Sequence, residues 1–275
     1  MDGVFSGGHR SLQRGFSVEF ADYRAYTAGD DLRYVDWKVF ARRDRLYVKQ
    51  FETETDFQCH LVLDVSPSMT YRSDGMLFSK WGYAQLLAAA FSVIVTQQQD
   101  RVGVATLAES LRQRFAATSS FSDAIQFLEG TAPLPPVPGS SRGEEINLGP
   151  AFHTLAESLP QRGVVLVFSD CLTDPESLGL GLRHLKYGGH DVGLFHIVDP
   201  AEEAFPFDDP LLLEGLEGEG DQRVDARWLG DAYRAEFREF RIRLEETCRD
   251  HRIHYGFART DLPPEHVLRS FLGRE

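Results

Sequence analysis

LVLDVSPSM, residues 61–69, runs three apolar residues into Asp64 and then breaks into Val65, Ser66, Pro67 and Ser68. With Cys59 and His60 before it, the apolar run has the length and β-preference of a strand buried on both faces. Ser-Pro-Ser after it is turn chemistry. A buried strand therefore ends in a carboxylate and two hydroxyls. GVVLVFSD, residues 163–170, repeats the pattern and ends in Asp170.

Elements on either side of these two stretches alternate. Leu77, Trp81, Ala84, Ala88, Phe91 and Val95 recur at spacings of four and three, which predicts a helix over 77–98. RVGVATLA (101–108) reads as a strand and LRQRFAA (111–117) as its hairpin partner. FSDAIQFLE is a short helix stopped at Gly130, and the prolines of 131–145 make that stretch a loop. Helices are expected over 148–159, after Pro175, over 226–250 and over 263–272. Strands are expected over 45–55, 190–199 and 252–259, and a hairpin around the glycines of LLLEGLEGEGDQRVDA. The pattern predicts an α/β fold: a doubly wound, mostly parallel sheet of Rossmann-type topology, with helices on both faces. The expected division is an N-terminal arm, 1–55, and a main domain, 56–275, with an acidic insert at 200–222.

Composition narrows the function classes. A net charge of −13 argues against general affinity for phosphate backbones or anionic membranes. Nine acids and no Lys or Arg lie between Asp199 and Asp221, a stretch expected to be a solvated loop. Cys59, Cys171 and Cys248 are far apart and match no metal spacing, which reads as reduced cytoplasmic usage. The apolar run 86–95 is too short to span a bilayer. Neither GxGxxG after a strand nor GxxxxGK[ST] occurs.

In a doubly wound sheet, ligands bind outside the carboxyl ends of the strands where the strand order reverses. Asp64 ends the first core strand and Asp170 the fourth, neighbours across that reversal in the order 3-2-1-4-5-6. Two adjacent carboxylates disfavour each other's charge unless a cation lies between them. With Ser66 and Ser68 they would form an oxygen-only set suited to Mg²⁺ or Mn²⁺. The plainer alternative is that Asp64 caps its own turn.

These residues carry a resemblance. DVSPS matches the DxSxS first motif of the metal-ion-dependent adhesion site of von Willebrand factor A-type domains, and LVFSD resembles the third motif, with Asp170 as its acid. In GEEINLGPAF, aligned with the second motif, Ile146 takes the position of the expected Thr and cannot ligate. The resemblance thus implies an incomplete site of Asp64, Ser66, Ser68 and Asp170, with Asn147 or Glu145 as a stand-in. Asn147 could instead cap the helix that follows.

VEFADYRAYTAGDDLRYVDWKVFARRDRLYVKQFETE (18–54) resembles the hallmark of the domain-of-unknown-function-58 family through Tyr26, Gly29, Asp30, Asp31, Arg33, Asp36, Trp37, Ala41 and Arg42. That resemblance extends over nearly the whole chain and implies a non-enzymatic adaptor. Its expected partner is a MoxR-type AAA+ ATPase or a client protein, in protein maturation or complex assembly. Tyr26, Gly29, Asp30, Asp31, Arg33, Asp36, Trp37 and Arg42 then become candidate partner-binding residues. Equally, the acids of this segment with Arg24, Arg33, Arg42 and Arg43 could form an ion-pair cluster that pins the arm.

Two other functions stay open. Asp64 at a strand end could be the nucleophile of a Mg²⁺-dependent phosphatase-like hydrolase, although Ser66 stands where a general acid is needed. Alternatively, the domain is structural and its metal site has decayed, as Ile146 suggests. The histidines and Cys171 read as structural residues, and the stripe from Trp228 to Phe240 as core packing.

Overall fold

Leu61, Val62 and Leu63 are fully buried because the strand that carries them has a neighbour on each side and helices above and below. The computed structural model describes residues 18–27, 35–43, 45–53, 57–135, 148–160, 162–216 and 220–273. The chain divides into two compact units, Met1–Asp56 and Phe57–Glu275.

In the first unit β1 (Val18–Ala25) pairs antiparallel with β2 (Tyr47–Thr53), and α1 (Trp37–Arg43) lies between them in sequence. Asp36 starts α1 as its cap: Val39 N donates to Asp36 Oδ1 at 3.2 Å. The expected strand over 45–55 is present. β1 and α1 are additions to the sequence-based expectation.

The second unit is built on a six-stranded sheet. Its strands are β3 (Gln58–Asp64), β4 (Arg101–Leu107), β5 (Leu111–Thr118), β6 (Gly163–Ser169), β7 (His190–Val198) and β10 (His254–Arg259). The order is β10-β7-β6-β3-β4-β5, parallel throughout except for β5, which returns antiparallel on β4. This is the 3-2-1-4-5-6 arrangement, and β3 and β6 are neighbours across the reversal. One face is covered by α2 (Lys80–Gln97), α3 (Phe121–Glu129) and α8 (Pro264–Leu272), the other by α4 (Gly149–Ser158), α5 (Pro175–Tyr187) and α7 (Ala226–Asp250). On the first face Phe91 meets Phe168, Phe195 and Phe271 at ring separations of 6.2, 5.3 and 6.3 Å. Side chains of this size each contribute about 1.5–3 kcal/mol when fully buried.

Three expectations are corrected. The helix begins at Lys80 and not at Leu77, because the Ser79 hydroxyl caps it by accepting from Gly82 N; Leu77 is left 79% exposed. In α7 only Ala226, Gly230, Leu244 and Cys248 are buried, and Trp228 is 85% exposed. The first turns of α7 pack on α6 (Pro200–Ala204) and on a hairpin of β8 (Pro210–Leu213) with β9 (Gln222–Asp225), outside the sheet core. The described parts of this stretch, 199–216 and 220–222, accordingly carry α6 and the hairpin strands and are not a plain solvated loop. The expected hairpin is there, and α6 precedes it.

Candidate functional site

The carboxyl ends of β3 and β6 set the site. Asp64 is the last residue of β3 and is 2% exposed. Its Oδ1 accepts from Ser66 N at 2.9 Å and its Oδ2 from Ser169 Oγ at 2.6 Å, so the side chain closes its own turn and ties β3 to β6. Pro67–Thr70 then forms a 3₁₀ turn that brings Ser68 Oγ to 3.0 Å from Ser66 Oγ. Asp170 follows β6. After it Cys171 adopts φ 58, a left-handed conformation uncommon for a residue with a β-carbon, and is held there by its N–H donating to Ser169 Oγ at 2.9 Å. This sharp turn brings Leu172 N to 3.4 Å from Asp170 Oδ1. Asp64, Ser66, Ser68 and Asp170 are thus brought together, all nearly buried.

The sequence signal did not single out Lys80. It is the first residue of α2, its side chain is 1% exposed, and its Nζ lies 2.8 Å from Asp170 Oδ2 and 2.6 Å from Glu202 Oε1. Burial works against its charge, yet Asp170 and Glu202 outweigh burial and hold the ammonium above the ordinary lysine range. Burial also pushes Asp170 up, but Lys80 and the Ser68 hydroxyl bring it below the usual carboxylate range. Among the described residues Asp64 has no such cation. Burial and the Asp170 charge push it up to about 6, against the hydrogen bonds from Ser169 and Ser66.

Glu202 is held in turn. Asp199 starts α6 with a capping box: its side chain accepts from Ala201 N, and its own N–H donates to Glu202 Oε2 at 2.8 Å. Glu203 accepts from Arg241 and Arg259, both at 3.1 Å. Lys80, inside the helix expected over 77–98, and Glu202, three residues after Asp199, were visible in the sequence. Nothing in their spacing announced that they meet across 122 residues.

Two cavities open beside the cluster, with Leu172, 52% exposed, on the rim of both. One, of about 280 Å³, is lined by Ser68, Tyr71, Lys80, Glu202 and Leu213. The other, of about 230 Å³, is lined by Asp170, His196, Tyr233, Phe237 and Phe240. The stripe of α7 from Tyr233 to Phe240, without Trp228, faces this cavity. His196 is buried with Nδ1 2.8 Å from the Tyr255 hydroxyl, and burial pushes its pKa down to about 3. Cys171 is fully buried, and burial raises its thiol well above the usual range, which disfavours the thiolate.

Among the described residues, the donor set does not fit a divalent ion in the way the resemblance implies. One of the two carboxylates is already neutralised by a buried ammonium, and both oxygens of the other accept hydrogen bonds from the protein. Asn147, Glu145 and Ile146 lie outside the described residues. No group of three or more His, Cys, Asp or Glu able to hold a metal occurs among the described residues.

Of the hallmark residues, Gly29, Asp30, Asp31 and Arg33 lie outside the described set, and so Asp30, Asp31 and Arg33 of the expected ion-pair cluster do too. Tyr26 N donates to Leu46 O at 3.0 Å, Asp36 caps α1, Trp37 is 58% exposed against Phe40, and Arg42 is exposed. Among the described residues no helix is long and apolar enough to cross a membrane.

Comparison with known proteins agrees with this architecture. BatB from Bacteroides thetaiotaomicron is similar in fold at 16% identity and a TM-score of 0.50, over 80% of this chain and all of that one. The von Willebrand factor A domain of SpRpn10 aligns at 12% identity and a TM-score of 0.39, over 80% of this chain and 95% of that one. The sheet order and the strand-end DxSxS motif are the features in which the second unit resembles von Willebrand factor A domains. The uncharacterized protein Rv1480 of Mycobacterium tuberculosis is 27% identical over 217 residues, which is 79% of this chain. The chain spans 66% of the length of that curated relative. The sequence pattern of the family described as protein of unknown function DUF58 matches residues 22–247, and the chain belongs to that family.

Proposed function

We propose that the chain is a non-enzymatic adaptor that receives a partner protein at the carboxyl edge of its sheet, where Asp64, Ser66, Ser68 and Asp170 converge. One observation carries this reading: the exposed Leu172 stands between two cavities directly above the buried polar cluster. An apolar side chain ringed by concave surface is what a docking partner needs to anchor on. The family resemblance supplies the partner class, a MoxR-type AAA+ ATPase or its client, with work on protein maturation or complex assembly in the cytoplasm. A phosphatase reading gains no support from the geometry. Asp64 is buried with both oxygens hydrogen-bonded, and the adjacent groups include no free general acid among the described residues.

The test is capture of the MoxR-type ATPase of the same genome by the full chain, with wild type, Leu172→Glu and Trp228→Glu. Capture by wild type and Trp228→Glu, lost in Leu172→Glu, supports the reading. A chelator arm separates direct docking from docking through Mg²⁺ or Mn²⁺. Equal capture by all three variants, or Mg²⁺-dependent phosphatase activity lost in Asp64→Asn, overturns it.

A further inference from the structure

Lys80 sits where a cation is least expected. The first turn of a helix carries partial positive charge and favours acids, and a buried ammonium loses its hydration. Lys80 bears both costs, and its partners are Asp170 at the end of β6 and Glu202 on α6. The Tyr71 ring lies 5.7 Å below Nζ, and Lys80 N donates to Tyr71 O at 3.1 Å, so the loop after the 3₁₀ turn grips both the backbone and the charge. Ser73, in the same loop, is tied to Asp199. The ammonium is therefore held by three segments that meet at the strand ends.

We propose that the Lys80 ammonium is the resident cation of this site and stands in place of the divalent ion that the DxSxS motif would otherwise call for. It neutralises Asp170, the acid such an ion would share with Asp64, and it is covalently part of α2. The inference is independent of what docks at Leu172. It concerns only which positive charge the strand-end carboxylates hold.

The experiment is Mg²⁺ and Mn²⁺ titration of the chelator-stripped full chain, by calorimetry and by thermal melting, on wild type, Lys80→Met and Lys80→Met/Asp64→Asn. The expected result is no saturable binding and no shift in Tm for wild type in millimolar metal. Lys80→Met should gain saturable binding in the same metal range, with a rise in Tm on adding metal. That gain should vanish when Asp64 is also replaced. Should Lys80→Met fail to fold, Lys80→Met/Glu202→Gln, which removes one positive and one negative charge, takes its place. Saturable wild-type binding that is not tightened in either Lys80 variant overturns the proposal. So does a folded Lys80 variant that binds no metal, because the carboxylates then need no cation.

Discussion

Ser73 and Asp199, 126 residues apart, are joined twice: Ser73 Oγ donates to Asp199 Oδ1 at 2.6 Å and Ser73 N to Oδ2 at 3.0 Å. Asp199 is fully buried, and its Oδ1 also accepts from Ala201 N at 2.9 Å. One carboxylate thus fixes the loop after β3 to the end of β7. Asp199→Ala strands these donors and uncaps α6. The expected loss is about 2–4 kcal/mol of unfolding free energy, read from urea denaturation with an unchanged slope. Asp199→Asn, which keeps an acceptor, should lose less.

Ser169→Ala should cost about 1–3 kcal/mol, because it removes the donor to Asp64 Oδ2 and the acceptor of Cys171 N together, both in buried surroundings. The same denaturation experiment measures it. Ser158→Ala, at a half-buried hydroxyl that bonds only its own helix, is the control and should stay within about 0.5 kcal/mol.

Acid should weaken the fold through His60. Burial, with the charges of His190 and Arg114, pushes its pKa down from 6.5 to about 4. Nδ1 lies under Gly103, where a β-carbon would come within 2.6 Å, and Nε2 is buried without a hydrogen-bond partner. The folded state holds the neutral ring and the unfolded state binds the proton first. Its contribution is therefore fully present above pH 6.5 and is lost as pH falls from there towards 4, on the order of 3 kcal/mol in all. Burial lowers His190 as well, which adds in the same direction. Stability measured between pH 7 and 4 should fall more steeply for wild type than for His60→Leu.

All three thiols should resist modification in the native state. Cys59, Cys171 and Cys248 are buried, and burial pushes Cys59 and Cys248 up to about 12. An aromatic disulfide reagent at pH 8 should label none on the time scale of minutes and all three on adding denaturant. Rapid native labelling of Cys171 would show that the turn after β6 opens.

Gly163→Ala should destabilise by about 1–3 kcal/mol, because its β-carbon would come within 2.5 Å of the Gln58 carbonyl oxygen, a backbone atom of β3 that cannot rotate away. Thermal melting of the variant checks this.

The sheet was legible because strands buried on both faces leave continuous apolar runs, and Asp64 and Asp170 stood out as the polar ends of two of them. The reversal between β3 and β6 followed from chain order alone. β1 was not legible, since its register on β2 shifts between Phe20 and Asp22 and the two-residue alternation breaks there. Trp228 misled because helical spacing shows which residues share a face, not whether the helix extends beyond the core. Lys80 was hidden for a third reason. Its role depends on Glu202 and Asp170, which only the folded chain brings within reach, and a lysine in a helix ordinarily signals solvent.

A metal-loaded docking site has a filling step. Its readiness follows the ion concentration of the compartment, and a chelator can switch it off. An ammonium borne on α2 has no such step. Each molecule leaves the ribosome with its counter-charge in fixed stoichiometry, ready as soon as the strand ends assemble. On the proposal above, the control point moves from ion supply to folding: whatever loosens the Asp199–Glu202–Lys80 chain also unpairs the strand-end carboxylates.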